Sequence, residues 1–205
     1  MMVKLIPGTP NHSTKRLAEL IWTVDEHFMP FLFGSPDNWY RLFSIDWCAD
    51  KGINSHAYSV VAVDDDEIAG VMIGYNAAII DSLFEATLSR WLQDEPPEQA
   101  AYLEQAFNKM DRLFPHPAEG SFYILDLAVD VTRRKTGVGR RLVDRAVSEA
   151  KSQGLSALKL DVDADSEAVG FYERLGMSIE VETFVPEIAE KYDVGSHLHM
   201  KMEIK

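Results

Sequence analysis

The chain has 205 residues, 46% of them apolar and 26% charged, which is enough for one α/β domain with a real core. Its net charge of −13 argues against nucleic acid as a partner, because phosphate binding needs clustered Lys and Arg. No apolar run reaches the ~20 residues needed to cross a bilayer. The N-terminus lacks the apolar stretch of a signal peptide, and the one cysteine, Cys48, excludes an internal disulfide. Cys48 follows Trp47 and reads as a small buried hydrophobe. Together these features predict a cytoplasmic protein that binds no membrane.

Thr14 is placed to cap a first helix, with Leu17, Leu20, Ile21, Val24 and Phe28 at helical spacing as far as Pro30. A second helix is expected from Pro36 to Cys48, with Trp39, Leu42, Phe43 and Trp47 on one side. Tyr58–Val63 and Glu67–Tyr75 read as strands around an acidic turn, Asp64-Asp65-Asp66. The 77–120 segment then breaks the pattern with two helices, Ser82–Trp91 and one opening at Pro96-Pro97. In the latter, Leu103, Ala106, Phe107, Met110 and Leu113 form the apolar stripe. It reads as a helical insertion able to cover a pocket, within a single domain spanning 1–205.

From Ser121 the order is strand (to Val129), helix (Gly137–Gln153), strand (Leu155–Val162), helix (Ser166–Leu175) and two closing strands, Gly176–Phe184 and Ser196–Ile204. The strand–loop–helix–strand unit implies one parallel pair. The fold class is therefore mixed α/β (α+β). His197 and His199 share one face of the last strand. No third ligand stands at a persuasive spacing, so they read as a surface or partly buried pair and no metal is expected. The four tryptophans read as core.

The loop Arg133-Arg134-Lys135-Thr136-Gly137-Val138-Gly139-Arg140 is the strongest local charge anomaly in an acidic chain. Two glycines permit close backbone approach, and the helix start beyond them offers unpaired N–H groups to an anion. The loop lacks the Gly-Lys-Ser/Thr of a P-loop. A dinucleotide fingerprint needs a third glycine where Leu142 stands. What remains is Arg-x-x-Gly-x-Gly, a phosphate-binding loop or a tight helix-start turn.

This loop does not stand alone. Leu127-Ala128-Val129, Arg134-x-x-Gly137-x-Gly139 and Ala168-x-x-Phe171-Tyr172-Glu173-Arg174-Leu175-Gly176-Met177 together resemble the linked motifs of the GNAT superfamily of N-acetyltransferases. The resemblance implies a mostly antiparallel sheet flanked by helices and splayed around acetyl-coenzyme A (acetyl-CoA). The backbone at Leu127 and Val129 would pair with the pantetheine arm, and the amides from Arg134 through Lys135, Thr136, Gly137, Val138 and Gly139 to Arg140 would cradle the pyrophosphate. Asp165 stands where relatives carry an asparagine that touches the pantetheine, and a carboxylate offers no amide donor. Phe171 would pack along the cofactor and Tyr172 would protonate the departing thiolate.

The implied reaction is direct transfer of acetyl to a primary amine of a small molecule or peptide, in a ternary complex; a homodimer is left open. Base positions are the gap. Leu125 and Tyr123 occupy the places where relatives often carry a base, and strand alternation sends Asp126 to the opposite face. Asp81 and Glu85 in the insertion, or a water relay, stay open, as do two rival readings: a non-catalytic acyl-CoA sensor, or an interaction domain.

Overall fold

The computed structural model describes residues 3–205. Among these residues seven strands form one sheet in the order β1-β2-β3-β4-β5-β7-β6, antiparallel except for β4 and β5. In chain order these are β1 (Lys4–Pro7), β2 (Ser59–Asp64), β3 (Glu67–Asn76), β4 (Ser121–Val129), β5 (Ala157–Asp163), β6 (Ser178–Thr183) and β7 (His197–Glu203). Neither β1 nor the short helix before β7 was legible in the sequence. Four residues of β1 carry too little periodicity to declare a strand, and β1 is held by pairing with β2.

One face of the sheet carries α1 (Thr14–Trp22), α2 (Phe28–Phe33), α3 (Pro36–Trp47), α4 (Ile80–Leu92), α5 (Pro97–Met110) and α8 (Pro186–Tyr192). The other carries α6 (Val138–Ser152) and α7 (Ala168–Arg174). The expected first helix is in fact two. Thr23 closes α1, and the Asp25 carboxylate accepts the amides of His27 and Phe28 to start α2. Pro30 then lies in the first turn of α2, where a missing N–H costs little, and so does not end the helix. Ser13, rather than Thr14, caps α1.

The 77–120 segment is helical as expected, but it packs as core. Leu83, Trp91, Leu103 and Phe107 are buried with Trp39, Phe43 and Trp47 in one cluster. A buried carboxylate locks it down: Asp46 on α3 receives Arg90 and Thr87 from α4 and the amide of Asn54, while the Trp91 indole donates to the Leu42 carbonyl. Removing that many apolar contacts would cost far more than a cap or a surface charge. Cys48 corrects the sequence reading, because it is exposed. As the residue that closes α3 it points away from the buried side taken by Trp47.

Candidate active site

Strands β4 and β5 pair only from Ser121↔Ala157 to Ile124↔Leu160, and both continue beyond that point. Past Ile124 they part and leave a cleft between them. Asp130 N–H donates to the Ala69 carbonyl, so antiparallel alternation turns the amide groups of Ala128 towards β3. Those of Leu127 and Val129 face the cleft, where β5 no longer meets them. The Val129 carbonyl there takes a long bond from Arg134 Nε, 3.4 Å.

The loop that ends β4 opens onto the same cleft. The carboxylate of Asp130 fixes its start: Thr132 Oγ and N–H donate to it, Arg16 pairs with it, and these contacts hold its pKa down at about 2. Lys135 and Gly137 have left-handed φ of 63° and 93°. Among the described residues the N–H groups from Lys135 to Arg140 donate no hydrogen bond. A Cβ at Gly137 would meet nothing within 4 Å, while one at Gly139 would lie 3.3 Å from the Phe171 ring. Phe171 therefore lies against the loop, as expected. The Asp165 side chain is exposed, with no hydrogen bond among the described residues, while its amide donates to Asp163 Oδ1.

Tyr172 enters from α7 and is 6% exposed. Burial, helped by the nearby Asp126 charge, drives its pKa far up, so it stays a phenol. Its hydroxyl has no partner among the described residues.

Asp126 overturns the sequence reading. The register on β3 steps from Ile73↔Asp126 to Gly74↔Ile124, so Leu125 is an extra, bulged residue. Ile124 and Leu127 consequently share the α6 face, and Leu125 and Ala128 belong to the helical face. Alternation fails at Asp126 itself. By the register with Ile73 it shares the face of Tyr75 and Tyr123; burial raises the pKa of Tyr75, Tyr123 and Tyr172, and the Asp126 charge adds to that rise. Burial without a hydrogen-bond partner among the described residues lifts its own pKa to about 7. Asp81 is exposed and lies 3.2 Å from His116 Nδ1.

A cavity of about 680 Å³ lies elsewhere, between α1 and the β2–β3 turn, and touches the loop only at Asp130, Thr132 and Arg133. The cleft, rather than this cavity, collects the chemistry. Among the described residues no group of His, Cys, Asp and Glu could hold a metal, and no helix is long and apolar enough to cross a membrane.

The Acetyltransferase (GNAT) family profile matches residues 18–177. The chain belongs to this family. Like other members, it has a mixed sheet flanked by helices. An N-acetyltransferase from Staphylococcus aureus Mu50 superposes with a TM-score of 0.72 at 15% identity, covering 98% of this chain and 100% of that one. The ribosomal-protein-S18-alanine N-acetyltransferase of Escherichia coli gives 0.55 at 12% identity, over 100% and 95%. These likenesses establish the fold. In sequence, 63 residues are 38% identical to mycothiol acetyltransferase of Paenarthrobacter aurescens strain TC1. The match is 30% of this chain and 19% of that protein.

Proposed function

We propose that the chain is an acetyl-CoA-dependent N-acetyltransferase that acylates a primary amine, with the 77–120 helices acting as scaffold in a single catalytic domain. The observation that carries this reading is the unpaired edge of β4 at Leu127 and Val129, opening beside six amides that donate to nothing in the described chain. An extended amide-bearing arm can add to such an edge as a strand does. A pyrophosphate suits the loop's amides and the start of α6. The bound cosubstrate supplies an acetyl thioester.

Asp126 fills the gap left in the sequence reading. A free amine with pKa near ~10.4 is mostly charged at pH 7, and neutralising it costs roughly 4–5 kcal/mol. Asp126, poised at about 7, accepts the amine proton. The N–C bond forms as the C–S bond breaks, and Tyr172 donates its proton to the sulfur. The second proton that the nitrogen must lose passes through water to the Tyr172 phenolate, and Asp126 releases its own to solvent, so the site returns to its starting state. This unpaired carboxylate favours turnover over the sensor reading.

Two measurements test the proposal. Calorimetry with coenzyme A should show binding, and a screen of amine classes with acetyl-CoA should release thiol. Absence of both would overturn the proposal; binding without release would favour the sensor.

A further inference from the structure

Both histidines of β7 are buried, and each lies beside an acid. His197 Nε2 is 2.9 Å from Asp25 Oδ2, and His199 Nδ1 is 2.6 Å from Asp161 Oδ1. The second contact belongs to a row of side chains that crosses the sheet. Tyr123 Oη of β4 donates to Asp161 Oδ2 of β5 at 2.8 Å. Beyond His199, Nε2 is 2.7 Å from Thr183 Oγ1 of β6, which donates to the Leu113 carbonyl at 2.6 Å.

The strand register places the Tyr123–Asp161 bond in the cleft. Tyr123 is level with Lys159, and Ile124↔Leu160 is the last pair of β4 and β5. Asp161 is therefore the first residue of β5 beyond the root of the fork, where backbone bonds no longer join the two strands. Tyr123 packs on the core of the α1–α5 face, and Asp161 shares a face with His199, directly opposite on β7. The phenol thus runs diagonally from β4 to β5 across the root, and one side-chain bond follows where the ladder has just ended. On the α6 face the same root is closed by the buried side chains of Ile124 and Leu160.

This bar is held at both ends. Its ring centroid lies 6.5 Å from that of Tyr75, its neighbour on β3. The Asp161 side chain is 11% exposed and is met on its other oxygen by His199. Swinging the phenol aside would strip a largely buried carboxylate of a donor, an unfavourable change. On the acetyl-transfer reading the pantetheine arm enters at the loop and passes Val129, then Leu127, so its acyl end points down the fork towards Ile124. From Leu127 to Ile124 is three residues, at most about 10 Å of strand, and the Leu125 bulge shortens it further.

We propose that Tyr123, tied to Asp161, sets the length of acyl group the cleft accepts: the phenol bars the root of the fork and confines the donor to short acyl thioesters, acetyl above all. A longer chain carries its extra methylenes onto the bar. Admitting them means either breaking the bond to Asp161 or drawing the thioester back along the β4 edge. This role rests on the acetyl-transfer reading; the bond between Tyr123 and Asp161 does not.

The test compares acetyl-CoA with butyryl-CoA, by kcat/KM with one accepted amine and, without the amine, by calorimetric Kd. Wild type should favour acetyl at least tenfold in kcat/KM, since one methylene set against a pocket wall is worth about 10- to 200-fold. Tyr123→Ala should shrink that preference at least tenfold and tighten butyryl-CoA relative to acetyl-CoA in Kd. Asp161→Ala, which leaves the phenol but frees its tip, should shrink it at least threefold. Each readout is a ratio within one variant, so a role in folding alone would lower both donors together and leave the ratio unmoved. Should Tyr123→Ala fail to fold, Tyr123→Leu, which fills the core but cannot reach Asp161, carries the threefold expectation. An unmoved ratio in the folded variants overturns the bar, as does a wild type that uses both donors equally, and either result spares acetyl transfer. A wild type that binds acyl-CoA but transfers nothing overturns acetyl transfer and leaves the bar to be judged by the Kd ratio. Binding of neither donor sinks both.

Discussion

Replacing Asp126 by asparagine should reduce activity and raise stability together, and both effects should follow pH. With the carboxyl poised at about 7, half is ionised at neutral pH. About a tenth is ionised at pH 6 and about a hundredth at pH 5, so wild-type kcat/KM should fall roughly tenfold per pH unit on the acid side. Asp126→Asn should lower kcat/KM by about 10²- to 10⁴-fold at pH 8 and abolish that limb. The stability change has the opposite sign. A carboxyl whose folded pKa is raised binds an extra proton in the folded state between the two pKa values, so folding weakens as pH climbs through that window. A rise from 3.8 to about 7 corresponds to about 4 kcal/mol as an upper bound, absent below pH 4 and fully felt above pH 7. The asparagine variant carries no such charge and should be more stable at pH 8, by up to that amount, yet no different at pH 3.5. Stopped assays across pH, with urea unfolding at both ends, read the two effects. An acid limb near pH 4, a limb that survives in the variant, or equal stability at pH 8 would refute the reasoning.

Gly137→Glu should abolish coenzyme A binding in calorimetry, because it puts a carboxylate and a side chain into open space beside the free amides, at a φ of 93°. The fold should lose about 1–2 kcal/mol, the cost of a left-handed residue. Tyr172→Phe should lower kcat more than cofactor affinity, by about 10- to 100-fold, and because burial holds the phenol protonated, wild type should show no basic limb from it below pH 10. Arg90→Ala should destabilise the protein by about 3 kcal/mol in urea, since it strands the buried Asp46 carboxylate. Deleting 77–120 should leave no cooperative unfolding transition by calorimetry, as Trp91 and Phe107 are core; a deletion variant that folds would show the segment to be an accessory.

Much of this architecture was legible because it is written in local chemistry. The stripe Leu142, Val143, Ala146 and Ala150 declares α6, and Gly137 and Gly139 announce a loop that must come close to something. Other features depend on distant partners. β1 is a strand because β2 lies beside it, and α2 begins because the Asp25 carboxylate reaches forward to two amides. The histidines of β7 read as a surface or partly buried pair, and their burial was not legible because the acids beside them lie 38 and 172 residues away along the chain.

Asp126 is the most instructive case. Period-two alternation is a sound rule for a regular strand, and it placed this carboxylate on the wrong side. One bulged residue, Leu125, resets the pattern, and nothing in Tyr-Ile-Leu-Asp-Leu-Ala signals it. The bulge also has a physical place in the site. It sits where β4 has just lost β5 as a neighbour, so the strand is free to twist there, and the irregularity re-aims a side chain at the point where the cleft opens. The feature that hid the proposed base from the sequence is thus the one that leaves a carboxylate with no hydrogen bond among the described residues. The raised pKa follows from that isolation, and restoring a donor to Asp126 should return it to an ordinary carboxylate and, on the proposed mechanism, remove the base.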